Sequence, residues 1–261
     1  MALTLRTALL ATACVCGAGL AMSADQPAAA VSAQSSAVPF HVGETLTYDV
    51  SWSSYLTAGT VVTTVQSRRP SLGSTAYYIV AEARPGALLS HLYTLYYKLD
   101  TLLDGATFLS QRGSIYTEEG KRHRYKVTRF DRGAKRVFFE YQSATTAKAD
   151  FAVAPDTQDA LSALYALRAM PFAAGDQLRM PISDDGDIYM LRVAVAGRER
   201  VKTAAGEFDS WKLLASITDQ KGQPVGQQIG LWLSADARRL PVKMQAALTV
   251  GSFNLTLRDA R

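Results

Sequence analysis

Cysteine is nearly absent from this chain of 261 residues: it has two, Cys14 and Cys16, and both fall in the first two dozen residues. Without that segment there is no thiol, so disulfides and thiolate chemistry are excluded from everything that follows. Histidine is almost as scarce. His41, His91 and His123 stand far apart, no H-E-x-x-H occurs, and a zinc site would have to be assembled from distant strands without cysteine. We expect no metal and no cofactor. No G-x-S-x-G elbow precedes a helix, which argues against a serine hydrolase. Beyond the leader no apolar run is long enough for a membrane-spanning helix, and no alternation of strand with helix announces a parallel sheet.

What is present begins with a leader. One positive charge, Arg6, precedes an uncharged apolar run from Ala8 to Leu20 and the small residues Ala21, Ser23 and Ala24. This three-part layout predicts a secretory signal peptide over 1–24 and export to the periplasm. Cys14 has Ala11 three residues before it where leucine would be usual, so lipidation is not expected. The stretch "DQPAAAVSAQSSAV", 25–38, has almost no large apolar side chain and predicts a flexible lead. Losing Arg6 lowers the formal net charge from +5 to +4. That surplus suits anionic envelope partners and does not call for nucleic acid.

From 39 to 261 we expect one antiparallel β domain. Leu46, Tyr48, Val50 and Trp52 alternate with Thr45, Thr47, Asp49 and Ser51, the period of a strand with one buried face. The pattern recurs over 60–66, 77–83, 92–102, 108–117, 122–130, 135–141, 178–182, 188–196, 208–217, 227–233, 241–248 and 252–257. Glu119-Gly120, Asp131-Arg132-Gly133, Asp185-Gly186 and Ala205-Gly206 fall between these segments and favour hairpins. So many strands cannot lie in one flat open sheet. The expected fold is all-β: a strongly curved sheet or partial barrel with one docked helix.

That helix is "DALSALYALR", Asp159 to Arg168, expected near 156–169 with Asp156 or Thr157 as cap and Pro171 as stop. At about 100° per residue Leu161, Leu164, Tyr165 and Arg168 share a stripe, while Asp159 and Ser162 face away. Arg168 among apolar residues requires a carboxylate or several carbonyls; Asp49 and Asp100 are the candidates, and an anion at a cavity mouth is the alternative.

The stretches "GETLTYDVSW", "RYKVTRFDRGAKRV", "DALSALYALRAMPFAAGD", "GRERVKTAAGEFDSWKL" and "LWLSADARRLPVKM" resemble the exported bacterial family called domain of unknown function 3108, over Gly43 to Leu257. One departure, Gly105-Ala106 in place of an expected proline, falls in a loop. The resemblance implies an exported β-rich single domain and carries no activity or catalytic set.

Two features could bind. "KRHRYKVTRFDRGAKR", 121–136, holds eight basic residues in sixteen, with Arg122, Arg124 and Lys126 on one strand face. A solvated outer face is the favoured reading, a site for anionic headgroups the alternative. "LLSHLYTLYYKLDTLL", 88–103, reads as a strand covered on both faces, ordinary core or the wall of a lipid pocket. "SDDGD", 183–187, reads as a hairpin turn rather than a calcium loop.

The leading expectation is a non-enzymatic periplasmic protein binding a lipid, a glycolipid or an anionic polysaccharide. Trp52, Tyr93, Tyr96 and Tyr97 would give apolar contact, and Arg122, Arg124 or Arg168 would meet a negative group. The alternatives are an envelope-assembly protein with a solid interior, and a polysaccharide hydrolase using two carboxylates from Asp49, Glu82, Asp100, Glu140 or Glu207.

Overall fold

The computed structural model describes residues 38–52, 56–91, 94–248 and 251–261. The leader and the lead up to residue 37 lie outside the described residues, while Val38 packs against the core. Among the described residues no helix is long and apolar enough to cross a membrane.

Eight strands come first: β1 (Thr45–Trp52), β2 (Leu56–Ser71), β3 (Ser74–Pro85), β4 (Leu95–Asp104), β5 (Ser110–Glu119), β6 (Arg122–Asp131), β7 (Arg136–Gln142) and β8 (Thr146–Ala152). A single helical turn, α1 (Ala87–Ser90), sits between β3 and β4. The helix α2 (Ala160–Ala169) follows. Six more strands complete the chain: β9 (Gln177–Asp184), β10 (Asp187–Thr203), β11 (Gly206–Thr218), β12 (Ile229–Ser234), β13 (Pro241–Leu248) and β14 (Gly251–Ala260).

Short turns make sequence neighbours pair as antiparallel neighbours, and β1 also pairs with β14, so all fourteen strands form one sheet whose edges are β8 and β9. At the β9–β10 turn Asp185 and Gly186 both have positive φ, 53° and 79°, the backbone that a two-residue hairpin demands. β8 was not expected from sequence: "TAKADFA" offers little beyond alanine and is mostly exposed, as an edge strand can be.

The sheet curls around α2. Leu161 and Tyr165 occupy one side of the helix and pack with Phe40, Val65, Tyr77, Ile79 and Leu103. Ala163, Ala166 and Leu167, about half a turn round, pack with Met180, Val193, Leu213 and Leu231. A helix buried on both sides has no polar face, which is why Asp159 and Ser162, expected to point away from the core, are themselves buried.

The helix also starts later than expected, because Gln158 is still extended. Its N–H donates to Pro181 O (2.8 Å) and its C=O accepts from Ser183 N (2.8 Å), a parallel bridge to β9. Its side chain accepts from Ser110 N and donates to Phe108 O. One residue thus ties edge strand β9 to the start of β5. Asp159 then takes the N-cap in place of Asp156 or Thr157, its Oδ1 accepting from Leu161 N and Ser162 N.

The loop after β4 is held by Asp104. Its Oδ1 accepts from Ala106 N, Thr107 N and the Thr107 hydroxyl, and its Oδ2 from Ser74 and Gln111. Burial acts to raise this carboxyl, but the donors prevail and hold it at about 2. A depressed folded value stabilises above the unfolded value and is lost as pH falls through it. We therefore expect Asp104→Asn to cost about 1 kcal/mol at pH 7, after allowance for solvent screening. The difference from wild type in urea melts should shrink between about pH 4 and pH 2.

Candidate functional site

Within the curl lies an apolar cavity of about 330 Å³ that is open to solvent on one side. Its wall is built from alternating strand residues: Tyr48 of β1, Val61 and Thr63 of β2, Ala81 and Ala83 of β3, Leu99 of β4, Met244 of β13 and Leu255 of β14. Ala160, Leu161 and Leu164 of α2 complete it. The Thr63 hydroxyl lies near the phenols of Tyr48 and Tyr165 and has no hydrogen-bond partner among the described residues, and burial pushes both phenols up. Glu82 and Lys243 also border the space, but their charged ends are engaged elsewhere, Glu82 by the Tyr96 phenol and Lys243 over the Trp232 ring. The lining is almost wholly apolar.

Register decides which sequence candidates share this concave face. A Cβ on Gly113 would lie 2.8 Å from the Asp159 Cβ, so Gly113 faces the helix. Ile115, Thr117 and Glu119 follow it on the same face of β5, and their partners across the unbroken ladder are Lys126, Arg124 and Arg122. The basic stripe therefore lines the concave side. This corrects the reading of a solvated outer face: the sheet curls toward the side that carries Arg122, Arg124 and Lys126, and only the curl could decide which side that was. Lys126 pairs with Asp185 (2.8 Å) and Arg124 with Glu119 (2.5 Å). The Glu119 carboxyl also accepts the Tyr97 phenol, and this bond, with Arg124, holds it below its usual range.

Tyr97 is paired in register with Thr117 and so shares that face. Trp52 does too: it alternates with Tyr48 along β1, pairs with Phe253 of β14, and stacks edge-on against its ring at 4.6 Å. Tyr96 necessarily points the other way. On the convex face it bonds Glu82, lies under Arg84, and is pushed up to about 12 by burial and by Glu82. Tyr93 lies outside the described residues. The stretch 88–103 is not one strand, because α1 interrupts it and β4 begins at Leu95.

Arg168 is 1% exposed and does not reach the cavity mouth. Its guanidinium donates to both carboxylate oxygens of Glu44 (2.7 Å each) and to the carbonyls of Pro39, Arg238 and Arg239. The expected partners are occupied elsewhere: Asp49 pairs with Arg258 and Asp100 with Arg112. Nothing in the sequence singled out Glu44, which precedes β1 and is held near the helix end by the bond of Val65 N to its carbonyl (2.9 Å) and by the packing of Phe40 against Tyr77, Phe108 and Tyr165. The cavity residues were legible as inward-facing from the β1 alternation and the helix stripe. That they leave a space between them was not.

The carboxylates proposed for hydrolysis each have another partner or are exposed. Glu82 is bonded by Tyr96, Glu140 is near Lys148 and Arg129, and Glu207 is exposed. Burial raises Asp184, helped by the charges of Asp185 and Asp159. The space beside it is about 20 Å³, room for one water and not for a sugar. Among the described residues no group of three metal-binding side chains occurs.

A curled antiparallel sheet wrapped around one long-buried helix defines a barrel-like protein. The chain belongs to the family described as protein of unknown function (DUF3108), whose profile matches residues 47–258. Its fold is similar to the crystal structure of a beta-barrel-like protein of domain of unknown function DUF1849 from Brucella abortus. That likeness has TM-score 0.59 and 12% identity over 84% of this chain and 97% of that one. Weaker likenesses are to a Bacteroides fragilis protein described as exported with a YmcC-like fold (TM-score 0.34, 14% identity, 85% and 97% covered) and a Parabacteroides distasonis protein described as a lipoprotein (TM-score 0.38, 9% identity, 85% and 96% covered). No curated protein matches.

Proposed function

We propose that this is an exported, non-enzymatic envelope protein that holds one amphiphilic molecule by its apolar part inside the curled sheet. Export rests on the three-part leader over 1–24. The binding reading rests on the apolar cavity of about 330 Å³. Protein interiors carry few voids larger than a water molecule. An apolar wall of this extent left facing water forgoes the burial that stabilises a core, roughly 25 cal/mol per Å². Such a space is explained by an occupant, and its size is at the low end of small-molecule sites.

The test is native mass spectrometry of protein taken from the periplasm without detergent, followed by solvent extraction. The expected result is a stoichiometric extra mass that extracts as a lipid or glycolipid. An unliganded mass, together with no binding of added amphiphiles, would remove this reading. A surface role would then take its place, centred on the convex groove where Leu72 and Phe138 are exposed.

A further inference from the structure

We infer that the occupant is a single-chain amphiphile with an anionic head, its chain in the cavity and its head at Arg122. This rests on the binding reading above and specifies the chemistry of its ligand.

Chain number follows from volume. A methylene group fills ~30 Å³, as one water does in the liquid, so the space of about 330 Å³ matches one chain of roughly a dozen carbons. Orientation follows from the lining. The wall offers almost no polar surface, the Tyr48 and Thr63 hydroxyls adjoin one another, and the charged ends of Glu82 and Lys243 are engaged on the convex side. A headgroup has no partner inside and must stay at the rim.

The sign of the head follows from the rim. From Leu99 in the cavity wall, Tyr97 lies two residues along the same face of β4, about 7 Å away. Its ladder partner is Thr117, and that of Thr117 is Arg124, two strands from Tyr97 or roughly 10 Å. Three cations stand on this face of β6. Lys126 is taken by Asp185 and Arg124 by Glu119. Arg122 is exposed and forms no ion pair among the described residues, although it adds to the field that lowers Glu119. Arg122 stands two residues beyond Arg124 on the same face, about 7 Å further from the cavity, and is the surplus positive charge that a head leaving past Tyr97 meets.

The shared chemistry is one acyl chain with a carboxylate or phosphate head, from a free fatty acid or a lysophospholipid. The experiment titrates delipidated full-length mature protein with dodecanoate, lauroyl-lysophosphatidylglycerol, dodecanol and didodecanoyl-phosphatidylglycerol below their micellar concentrations, following intrinsic tryptophan fluorescence and calorimetry. Dodecanoate or the lysolipid should bind one to one, the tighter of the two naming the source. The diacyl lipid should bind at least tenfold more weakly. Affinity should fall roughly fourfold per methylene removed.

Arg122→Gln should weaken the anions about three- to fivefold, an effect erased by salt, and leave dodecanol unchanged. Leu164→Trp, which fills the space, should abolish all binding; Ala83→Leu, a milder filling, should shorten the longest chain accepted and keeps the test valid where the tryptophan variant does not fold. If no single-chain compound binds, the binding reading itself fails. If dodecanol and dodecanoate bind equally and Arg122→Gln moves neither, binding stands and the anionic head is wrong. If the diacyl lipid binds as tightly, the single chain is wrong.

Discussion

Arg168→Met is expected to destabilise the protein by about 3–5 kcal/mol, because it leaves the Glu44 carboxylate buried with no cation. In a domain of this size that corresponds to a fall of roughly 10 °C in Tm, read by circular dichroism. The arrangement explains the size of the effect. The guanidinium satisfies five acceptor contacts at the end of α2, lies within 5.3 Å of the Phe40 ring centre and 4.9 Å of that of Tyr165, and binds the Pro39 carbonyl. Burial works against its charge, but the Glu44 carboxylate more than offsets this and holds the guanidinium above its usual value. Removing both charges separates the ion pair from the packing: Glu44→Leu with Arg168→Met should recover much of the loss, since apolar replacements of buried pairs are often neutral. A double variant as unstable as the single one would show that the carbonyl contacts, and not the pairing, hold the N-terminal segment to the helix.

The second large effect is expected at the other end of the helix. Asp159→Ala should cost about 2–4 kcal/mol. Loss of the N-cap accounts for roughly 1 kcal/mol, and the hydroxyls of Thr101 and Ser110, both donating to Oδ2, would be left buried without an acceptor. Asp159→Asn keeps a cap oxygen and should lose less. Urea denaturation measures the sum, and hydrogen exchange on the α2 amides locates it: the first-turn amides of the alanine variant should lose protection before those near Arg168. Gly113 is part of the same design, since any side chain there would collide with Asp159.

The strands were legible because β1 to β14 mostly have one face toward the core, and a period of two is written directly in residues such as Leu46, Tyr48 and Val50. The hairpins were legible because Asp185-Gly186 tolerates positive φ on both residues. β8 was missed where an exposed edge strand needs no apolar alternation, and the helix boundary was misplaced because Gln158 obeys a long-range bridge to β9 rather than a local preference. The candidate site was legible only in pieces. Trp52, Tyr97, Arg122 and Arg124 prove to share the concave face, Tyr96 takes the opposite one, and Arg168 is bound within the structure.

By itself the sequence determined that the chain is β-rich and antiparallel, that one helix docks against the sheet, and that Arg168 must find a carboxylate or several carbonyls. These are consequences of side-chain periodicity and of the cost of burying an unpaired charge, and both act locally. Only the tertiary structure decided which carboxylate Arg168 meets, which face of β6 turns inward, and that the inward residues leave a cavity. Those depend on how strands far apart in sequence curl around α2, and periodicity assigns residues to a face without saying which face closes on itself or how completely it is filled.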